Sequence, residues 1–273
     1  MKNIIKKILK IFKIDSLTLS FYNFIKKKLV HIYYFFSQNS IILLYHRVAN
    51  VDDDPHLLSV EPNNFRAQLQ YLKSKFNIIS LEDLFYKKQN KQLSKKDIAI
   101  TFDDGYADNL YNALPILKEL KIPATIFITI GKIGDLKPFY WDQNTRTEDQ
   151  GRALTKDELI HLTKSPLIGI GAHTLTHPCL SKLKIDLQKR EIFKSKQKLE
   201  SILDKKIISF SYPFGNKGSF NKGIINLVKQ ADFKYACVNT QNRVTKNQNE
   251  YTLSRYLVRN WNLKEFKKYF SQF

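Results

Sequence analysis

Two adjacent aspartates and two closely spaced histidines are the residues of this 273-residue chain that could do chemistry together. Asp103 and Asp104 follow directly on a short apolar run, and His173 and His177 stand four residues apart after another. Two imidazoles and one carboxylate are a common ligand set for a catalytic zinc ion, which keeps a fourth position open for water. A bound cation lowers the pKa of that water and polarises a carbonyl under attack.

The two aspartates should not do the same job beside one metal ion. One carboxylate, for which Asp104 is a candidate, can bind the cation, while its neighbour accepts the proton of the attacking water. Each feature alone has a simpler interpretation: Asp-Asp-Gly is a common polar turn, and two histidines four apart often occur by chance. Both features together, each where an apolar run ends, indicate a metal-dependent hydrolase.

Short apolar runs alternate with segments of helical periodicity after residue 40, which predicts a mainly parallel sheet. About seven such units, without a dinucleotide-binding glycine pattern, favour a barrel over an open doubly wound sheet. Capping boxes predict helix starts at Ser80 and Thr155. Because chemistry in such barrels gathers where strands end, we expect the polar clusters to meet at one mouth. The predicted strands are Ile41–Tyr45, Ile98–Phe102, Ala124–Ile130, Ile168–Gly171, Ile207–Tyr212, Tyr235–Val238 and Leu253–Val258.

Three motifs resemble those of the polysaccharide deacetylases, carbohydrate esterase family 4. Thr101–Tyr106 (TFDDGY) is similar to the first motif, His173–Pro178 (HTLTHP) to the second and Ser211–Gly215 (SYPFG) to a variant of the third. The resemblance implies an α/β fold, a distorted (β/α) barrel of about seven parallel strands, for a catalytic domain over residues 41–273. Further similar segments are Leu44–Val48, Tyr140–Asp142 and Arg255–Trp261.

The resemblance also implies a role for each matching residue. Asp103 would be the general base, and Asp104, His173 and His177 would bind the metal, most often Zn²⁺. The backbone N–H of Phe214 would help to hold the tetrahedral oxyanion. The implied reaction is removal of acetyl groups from an N-acetylated saccharide, either a polysaccharide or a lipid-linked sugar.

The first departure from the family pattern concerns the residue that orients the base. Many members carry an arginine two residues before the proline of the third motif, where this chain has Ser211. We expect Arg255, from a neighbouring strand, to replace that arginine, with Arg259 as the second choice. The alternative is that both are ordinary surface arginines.

The second departure concerns the group that protonates the leaving amine. The family often has a histidine near the C-terminal end for this purpose, but this chain has no histidine after His177. His46, at the end of the first predicted strand, is our substitute for that acid. A structural role for His46 is the alternative, and Asp103 could also return the proton itself.

Aromatic residues near the motifs are candidates for substrate contacts. Trp141 and its neighbour Tyr140 could stack on a sugar ring, although a packed aromatic pair is the alternative. Tyr212 and Pro213, inside the third motif, are expected to line the substrate site with Trp141.

The net charge of +20 does not by itself indicate a nucleic-acid partner. The lysines are scattered, and no zinc-finger spacing or aromatic nucleic-acid motif accompanies them, so no nucleic acid is expected. The charge is densest in residues 1–40, which carry eight lysines and one acid, Asp15.

Residues 1–40 are predicted to form a basic amphipathic extension. A helix on an anionic membrane surface is one interpretation; a basic helix packed on the domain, or a poorly ordered tail, is the other. The apolar stretch Leu29–Phe36 is too short to span a bilayer, and we find no clear signal peptide. We therefore expect the protein in the cytoplasm or peripheral on the cytoplasmic face of the membrane, acting in envelope assembly.

Other functions remain open at this point. The same motifs fit a metal-dependent amidase or esterase with another substrate. A non-catalytic carbohydrate-binding protein, or a protein that binds through its basic surface, would be alternatives of a different class.

Overall fold

A mainly parallel sheet curves round until its last strand segment meets its first strand. A computed structural model describes residues 38–142 and 151–271. The strands in this part of the chain are β1 (Asn39–Tyr45), β2 (Arg47–Val48), β3 (Ser59–Val60), β4 (Asn77–Ile78), β5 (Asp97–Phe102), β6 (Ala124–Ile128), β7 (Ile168–Ala172), β8 (Ser209–Ser211), β9 (Tyr235–Val238), β10 (Val244–Thr245), β11 (Leu253–Ser254) and β12 (Tyr256–Leu257).

The barrel closes through the last two strands. β1, β5, β6, β7, β8 and β9 lie side by side in that order, and each neighbouring pair is parallel. β11 then pairs with β9, whereas β12 pairs with β1. Arg255, the residue between them, therefore lies at the seam of the barrel. The prediction of an α/β barrel with about seven parallel strands is confirmed.

The structure differs from the prediction mainly at short or bent strands. The predicted strand Leu253–Val258 is broken at Arg255, because its two halves pair with opposite neighbours. β1 begins at Asn39, so two residues assigned to the N-terminal extension belong to the sheet. The short strands β2, β3, β4 and β10 were not predicted, since two residues are too few to show a periodicity.

The described α-helices are α1 (Pro62–Lys75), α2 (Leu81–Gln89), α3 (Leu114–Leu120), α4 (Lys156–Leu162), α5 (Ile185–Leu203), α6 (Lys222–Gln230) and α7 (Leu263–Phe270), and a π-helical turn, Asn109–Ala113, precedes α3. The capping box predicted at Thr155 is present at the start of α4. At α2 only half of the box forms: Ser80 Oγ accepts the N–H of Asp83, but the Asp83 carboxylate accepts the Ser80 hydroxyl instead of a backbone N–H.

The strands that lead to His46 and the two aspartates, β1 and β5, are buried on both faces. Every residue of β1 and β5 is buried, as expected for central parallel strands covered by helices. The rings of Tyr45, Phe65 and Phe102 pack edge to face or tilted, with centroids 5.2–5.8 Å apart, beneath the carboxyl ends of these strands. This aromatic packing supports the site at the barrel mouth from below.

The predicted N-terminal extension lies outside the described residues, apart from residues 38–40. In residues 38–142 and 151–271 no helix has the length and apolar character needed to cross a membrane.

Candidate active site

A sharp turn after β5 presents the two aspartates at the barrel mouth. Asp104 and Gly105 both have left-handed backbone angles, with φ of 74° and 81°. A Cβ atom at position 105 would lie 2.8 Å from Ile128 Cδ1, so only glycine fits without displacing that side chain. The backbone N–H of Asp103 still donates to the carbonyl of Tyr45, which ties the turn to the end of β1.

Asp104, His173 and His177 form a cluster that fits a cation. One ligand atom from each lies within 4.8 Å of the others. Asp104 Oδ1 is 3.5 Å from His173 Nε2 and 3.4 Å from His177 Nε2. That oxygen is buried and accepts no hydrogen bond. A buried carboxylate oxygen without a donor is costly unless a positive charge completes its surroundings, so the three residues brought together here fit the predicted metal site.

The protonation of the two histidines also suits ligation. Burial lowers the pKa of His173, and burial with the nearby His173 lowers that of His177 well below its ordinary value. Both imidazoles are therefore neutral at neutral pH. His173 Nδ1 lies 2.8 Å from the carbonyl oxygen of Ser211, which can only accept, so Nδ1 carries the proton. The Nε2 lone pair of His173 is then available to a metal, with the outer hydrogen bond that metal-binding histidines usually make.

Asp103 is held by a buried two-point ion pair. Arg255 Nη1 donates to Asp103 Oδ1 and Arg255 Nη2 to Oδ2, each at 2.7 Å, and the arginine is 0% exposed. Burial, the largest single effect, would raise the pKa of Asp103, but the charge and hydrogen bonds of Arg255, together with the nearby His173 and His46, outweigh it and lower the pKa below its ordinary value. The carboxylate is therefore ionised and oriented, as a general base must be.

Arg255 rather than Arg259 is the arginine that orients the base. Arg259 Nη1 donates instead to the backbone carbonyls of His56 and Leu57, away from the base. The sequence suggested Arg255 only because it lies on a neighbouring predicted strand and the expected arginine of the third motif is missing. The structure adds the direct contact.

Ser211 has contacts that the sequence interpretation missed. Its hydroxyl donates to Asp103 Oδ2 at 3.1 Å and accepts from Arg255 Nη2 at 2.8 Å, while its carbonyl accepts from His173. One residue thus supports both the base and a metal ligand. The only sequence signal was its place in the third motif, where it was read merely as a position without arginine.

His46 is the residue that follows β1, and it lies half-buried at the same mouth. Burial lowers its pKa to about 4, against the opposing effect of the nearby Asp103. Neutral at pH 7, it would have to gain a proton during the reaction before it could serve as an acid. Its Nδ1 is buried without a hydrogen-bond partner. A proton-donating role for His46 stays a prediction.

Phe214 combines an exposed ring with a strained backbone. Its φ is 63°, and in the described part of the chain its N–H makes no hydrogen bond. The ring is 44% exposed and lies 5.0 Å from the His177 ring, centroid to centroid. A free backbone donor on a residue whose ring contacts His177 suits the predicted oxyanion contact.

Trp141 forms one wall of the mouth. Its ring centroid is 4.7 Å from that of His177, and the indole stacks on Phe139. Trp141 Nε1 donates to the Tyr106 hydroxyl, which donates to Asp142 Oδ2, each at 2.7 Å. These bonds fix the indole beside the cation cluster, in a position where a sugar ring could contact it.

The predicted substrate contacts of Tyr212 and Pro213 are not supported. Both residues are buried, and the Tyr212 ring, 1% exposed, stacks on Phe220 with centroids 4.8 Å apart. Side chains alternate along a strand. Since Ser211 points to Asp103, Tyr212 points away from the mouth.

Comparison with known proteins decides the family. The sequence model of the family described as polysaccharide deacetylase matches residues 90–236, which include Asp103, Asp104, His173, His177 and Phe214. The chain belongs to the polysaccharide deacetylase family. The family predicted from the three motifs is thereby confirmed.

Individual family members cover most of the chain. A poly-β-1,6-N-acetyl-D-glucosamine N-deacetylase of Staphylococcus aureus is 31% identical over 209 residues, 73% of this chain and 68% of that protein. The Streptococcus pyogenes deacetylase PplD, solved with acetate, superposes with a TM-score of 0.71 at 22% identity over 85% of this chain and 98% of PplD. IcaB from Ammonifex degensii gives 0.67 at 19% identity over 86% and 97%. At these identities the two structures establish the shared barrel fold.

Proposed function

We propose that this polysaccharide deacetylase hydrolyses the acetamide of N-acetylhexosamine units in a polysaccharide or lipid-linked saccharide. The observation that carries the proposal is the ionised Asp103, fixed by Arg255 next to the cluster of Asp104, His173 and His177. The substrate named for the Staphylococcus aureus relative, poly-β-1,6-N-acetyl-D-glucosamine, supports a polymer of N-acetylglucosamine as the substrate class.

The same three residues would hold a divalent cation, with zinc as the first candidate because two neutral imidazoles and one carboxylate suit it. When bound, such a cation polarises the acetyl carbonyl and makes the attacking water more acidic.

The chain's own residues account for the other steps. Asp103 accepts a proton from the attacking water, whose oxygen forms a bond to the acetyl carbon. The N–H of Phe214 donates to the carbonyl oxygen as negative charge develops on it. The carbon–nitrogen bond then breaks, and the proton passes to the departing amine from Asp103 or, after it has gained a proton, from His46. The products are acetate and a free amino sugar.

The first test is acetate release from β-1,6-linked and β-1,4-linked N-acetylglucosamine oligomers by chelator-stripped protein. We expect release to fall to background after stripping and to return with zinc or cobalt. An O-acetylated sugar and a simple non-sugar acetamide, assayed in parallel, separate sugar N-deacetylation from the amidase and esterase alternatives.

Each outcome of this test discriminates between the alternatives. Restored release from the oligomers supports the proposal, and the preferred linkage then defines the substrate class. Metal binding without release from any N-acetylated sugar would remove that substrate class. The absence of both metal binding and acetate release would favour a carbohydrate-binding protein without catalysis.

We also propose that the protein binds peripherally to an anionic membrane surface through residues 1–36 together with the barrel end opposite the mouth. All the parallel strands start at that end, and residue 38 enters the barrel there at the start of β1. The loops that follow the strands at the mouth carry Asp52, Asp53 and Glu61. At the opposite end the exposed lysines outnumber carboxylates such as Asp204 and Asp232. Its exposed lysines are Lys75, Lys91, Lys95, Lys96, Lys121, Lys164, Lys205, Lys206, Lys234 and Lys246.

Sedimentation with anionic and zwitterionic vesicles tests this proposal. Each lysine near an anionic surface contributes about 1 kcal/mol at moderate salt. Replacing Lys95, Lys96, Lys205 and Lys206 by glutamate should therefore weaken binding to anionic vesicles at least about tenfold, as should removal of residues 1–36. Equivalent replacements at four exposed lysines near the mouth, Lys182, Lys184, Lys217 and Lys222, are the matched control.

The membrane proposal would collapse if the chain without residues 1–36 sedimented as well as the full chain. Equal losses from the two lysine sets would remove the assignment to one barrel end. That the membrane surface is the cytoplasmic one stays a prediction.

A further inference from the structure

The loop that carries both histidines is strained. Thr174 and His177 have φ of 65° and 61°, in the left-handed region. That region is unusual for any residue except glycine, and for a β-branched residue such as threonine it is a clear outlier. A strained loop keeps its shape only when surrounding groups hold it, so its supports determine where the two imidazoles lie.

One buried carboxylate holds this loop from the side of α5. Glu191 Oε2 accepts the backbone N–H groups of Leu175 and Thr176 at 2.9 and 2.8 Å, and Oε1 accepts the Thr176 hydroxyl at 2.8 Å. The side chain is buried at 8% exposure. Among the described residues, no lysine, arginine or histidine nitrogen forms an ion pair with it. All three hydrogen bonds reach residues midway between His173 and His177.

The opposite side of the loop rests on Gly131. The N–H of Gly131 donates to the carbonyl oxygen of Leu175 at 2.7 Å. A Cβ atom at position 131 would lie 2.3 Å from that oxygen, so any other residue would push the loop away. Glu191 and Gly131 thus clamp the same peptide group, at Leu175, from two sides.

We propose that Glu191 is a positioning residue for the metal site, acting through the loop without touching the cation. It holds Leu175 and Thr176 so that the Nε2 atoms of His173 and His177 meet Asp104. This inference rests on the proposed function in one respect, the binding of a divalent cation. Partners one step removed from a metal's ligands typically change its affinity by about 10- to 100-fold when they are lost.

Metal affinity of the full-length apoprotein, measured by chelator competition with Zn²⁺ and Co²⁺, tests the proposal. Glu191→Ala should weaken binding by about 10- to 100-fold and alter the visible spectrum of bound Co²⁺. Glu191→Gln should retain affinity close to wild type. Its amide oxygen can accept both N–H groups, and its NH₂ can donate to the Thr176 hydroxyl.

Two further variants separate this effect from a loss of folding. Gly131→Ala displaces the loop from the other side with Glu191 intact, and it should also weaken metal binding. Glu200→Ala, on the same helix, removes a carboxylate that accepts the N–H of Ile207 and lies far from the loop along α5. It should leave metal affinity unchanged even if thermal stability falls.

Unchanged affinity in Glu191→Ala would overturn the proposal. Equal losses in Glu191→Ala and Glu191→Gln would overturn it as well, because they would assign the effect to negative charge rather than loop position. A wild-type protein that binds neither cation would instead refute the proposed metal site itself, and this inference with it.

Discussion

Replacing Asp103 by asparagine should lower kcat for acetate release by about 10²- to 10⁴-fold, the usual contribution of a general base. Asparagine keeps the shape of the side chain and can still accept a hydrogen bond from Arg255, but it cannot take a proton from water. Metal affinity should stay close to wild type, because the three residues of the cation cluster are unchanged. Steady-state kinetics and chelator competition measure both quantities on one preparation.

The neighbouring aspartate provides the matched control. Asp104→Asn is the same chemical change made at the adjacent residue. This variant should lose metal affinity, since Asp104 Oδ1 is the oxygen that lies close to both histidines. Activity in Asp104→Asn should then recover in part at high metal concentration, whereas Asp103→Asn should not recover. The opposite pattern would exchange the two roles.

Stability has to be measured beside activity. Asp103→Asn leaves the guanidinium of Arg255 buried without a countercharge, and breaking a buried ion pair on one side costs about 3–5 kcal/mol. The assays therefore belong well below the melting temperature of the variant. Activity near wild type in a folded Asp103→Asn protein would remove Asp103 as the base.

The sequence predicted the residues at strand ends well, because one rule places them all. Parallel strands of a barrel bring their carboxyl ends to the same mouth, so Asp103 and His173 had to lie near one another once the strands were assigned. Side chains alternate along β8 and into the residue that follows it, so Ser211 faces Asp103 whereas Tyr212 faces away from the mouth. The prediction missed this because it treated the third motif as a unit rather than as a strand with two faces.

Contacts made across the fold could not be read in the same way. The break at Arg255 depends on β9 and β1 lying on either side of it, and nothing local in the residues around it shows this. Glu191 left a weak signal: it lies on the buried face of α5 with Ile192 and Leu199, where a carboxylate needs partners. The sequence does not show that those partners are in the metal-binding loop.

Replacing Arg255 by methionine should reduce activity at neutral pH by about 10²- to 10³-fold, within the range expected for a lost general base. Asp103 would remain buried at 3% exposure, with the Ser211 hydroxyl still donating to it but no opposing charge in contact. In the wild type, burial raises the pKa of Asp103. The charge of Arg255 is the largest of the effects that together more than reverse that rise. Without Arg255 the carboxyl is protonated over a wider range of pH.

The pH dependence tests this cause directly. The acid limb of kcat/KM should move to higher pH in Arg255→Met, with activity rising as the carboxyl ionises. Arg259→Met is the matched control, because Arg259 binds the backbone carbonyls of His56 and Leu57 and leaves Asp103 untouched. An acid limb that shifts in Arg259→Met but not in Arg255→Met would assign the supporting role to the wrong arginine.

Protonation of Asp103 also gives the stability of Arg255→Met a pH dependence, opposite in direction to that of its activity. A carboxyl whose pKa is raised in the folded state binds more protons there than in the unfolded chain, so the free energy of unfolding falls as pH rises from the unfolded pKa to the folded one. Arg255→Met should therefore lose stability with rising pH in the window where it gains activity. In the wild type the pKa of Asp103 is lowered, so its contribution to stability is complete above the ordinary carboxyl pKa and is lost only as the pH falls below it. Opposite slopes of activity and stability in one variant would be hard to obtain from general damage to the fold, which lowers both together.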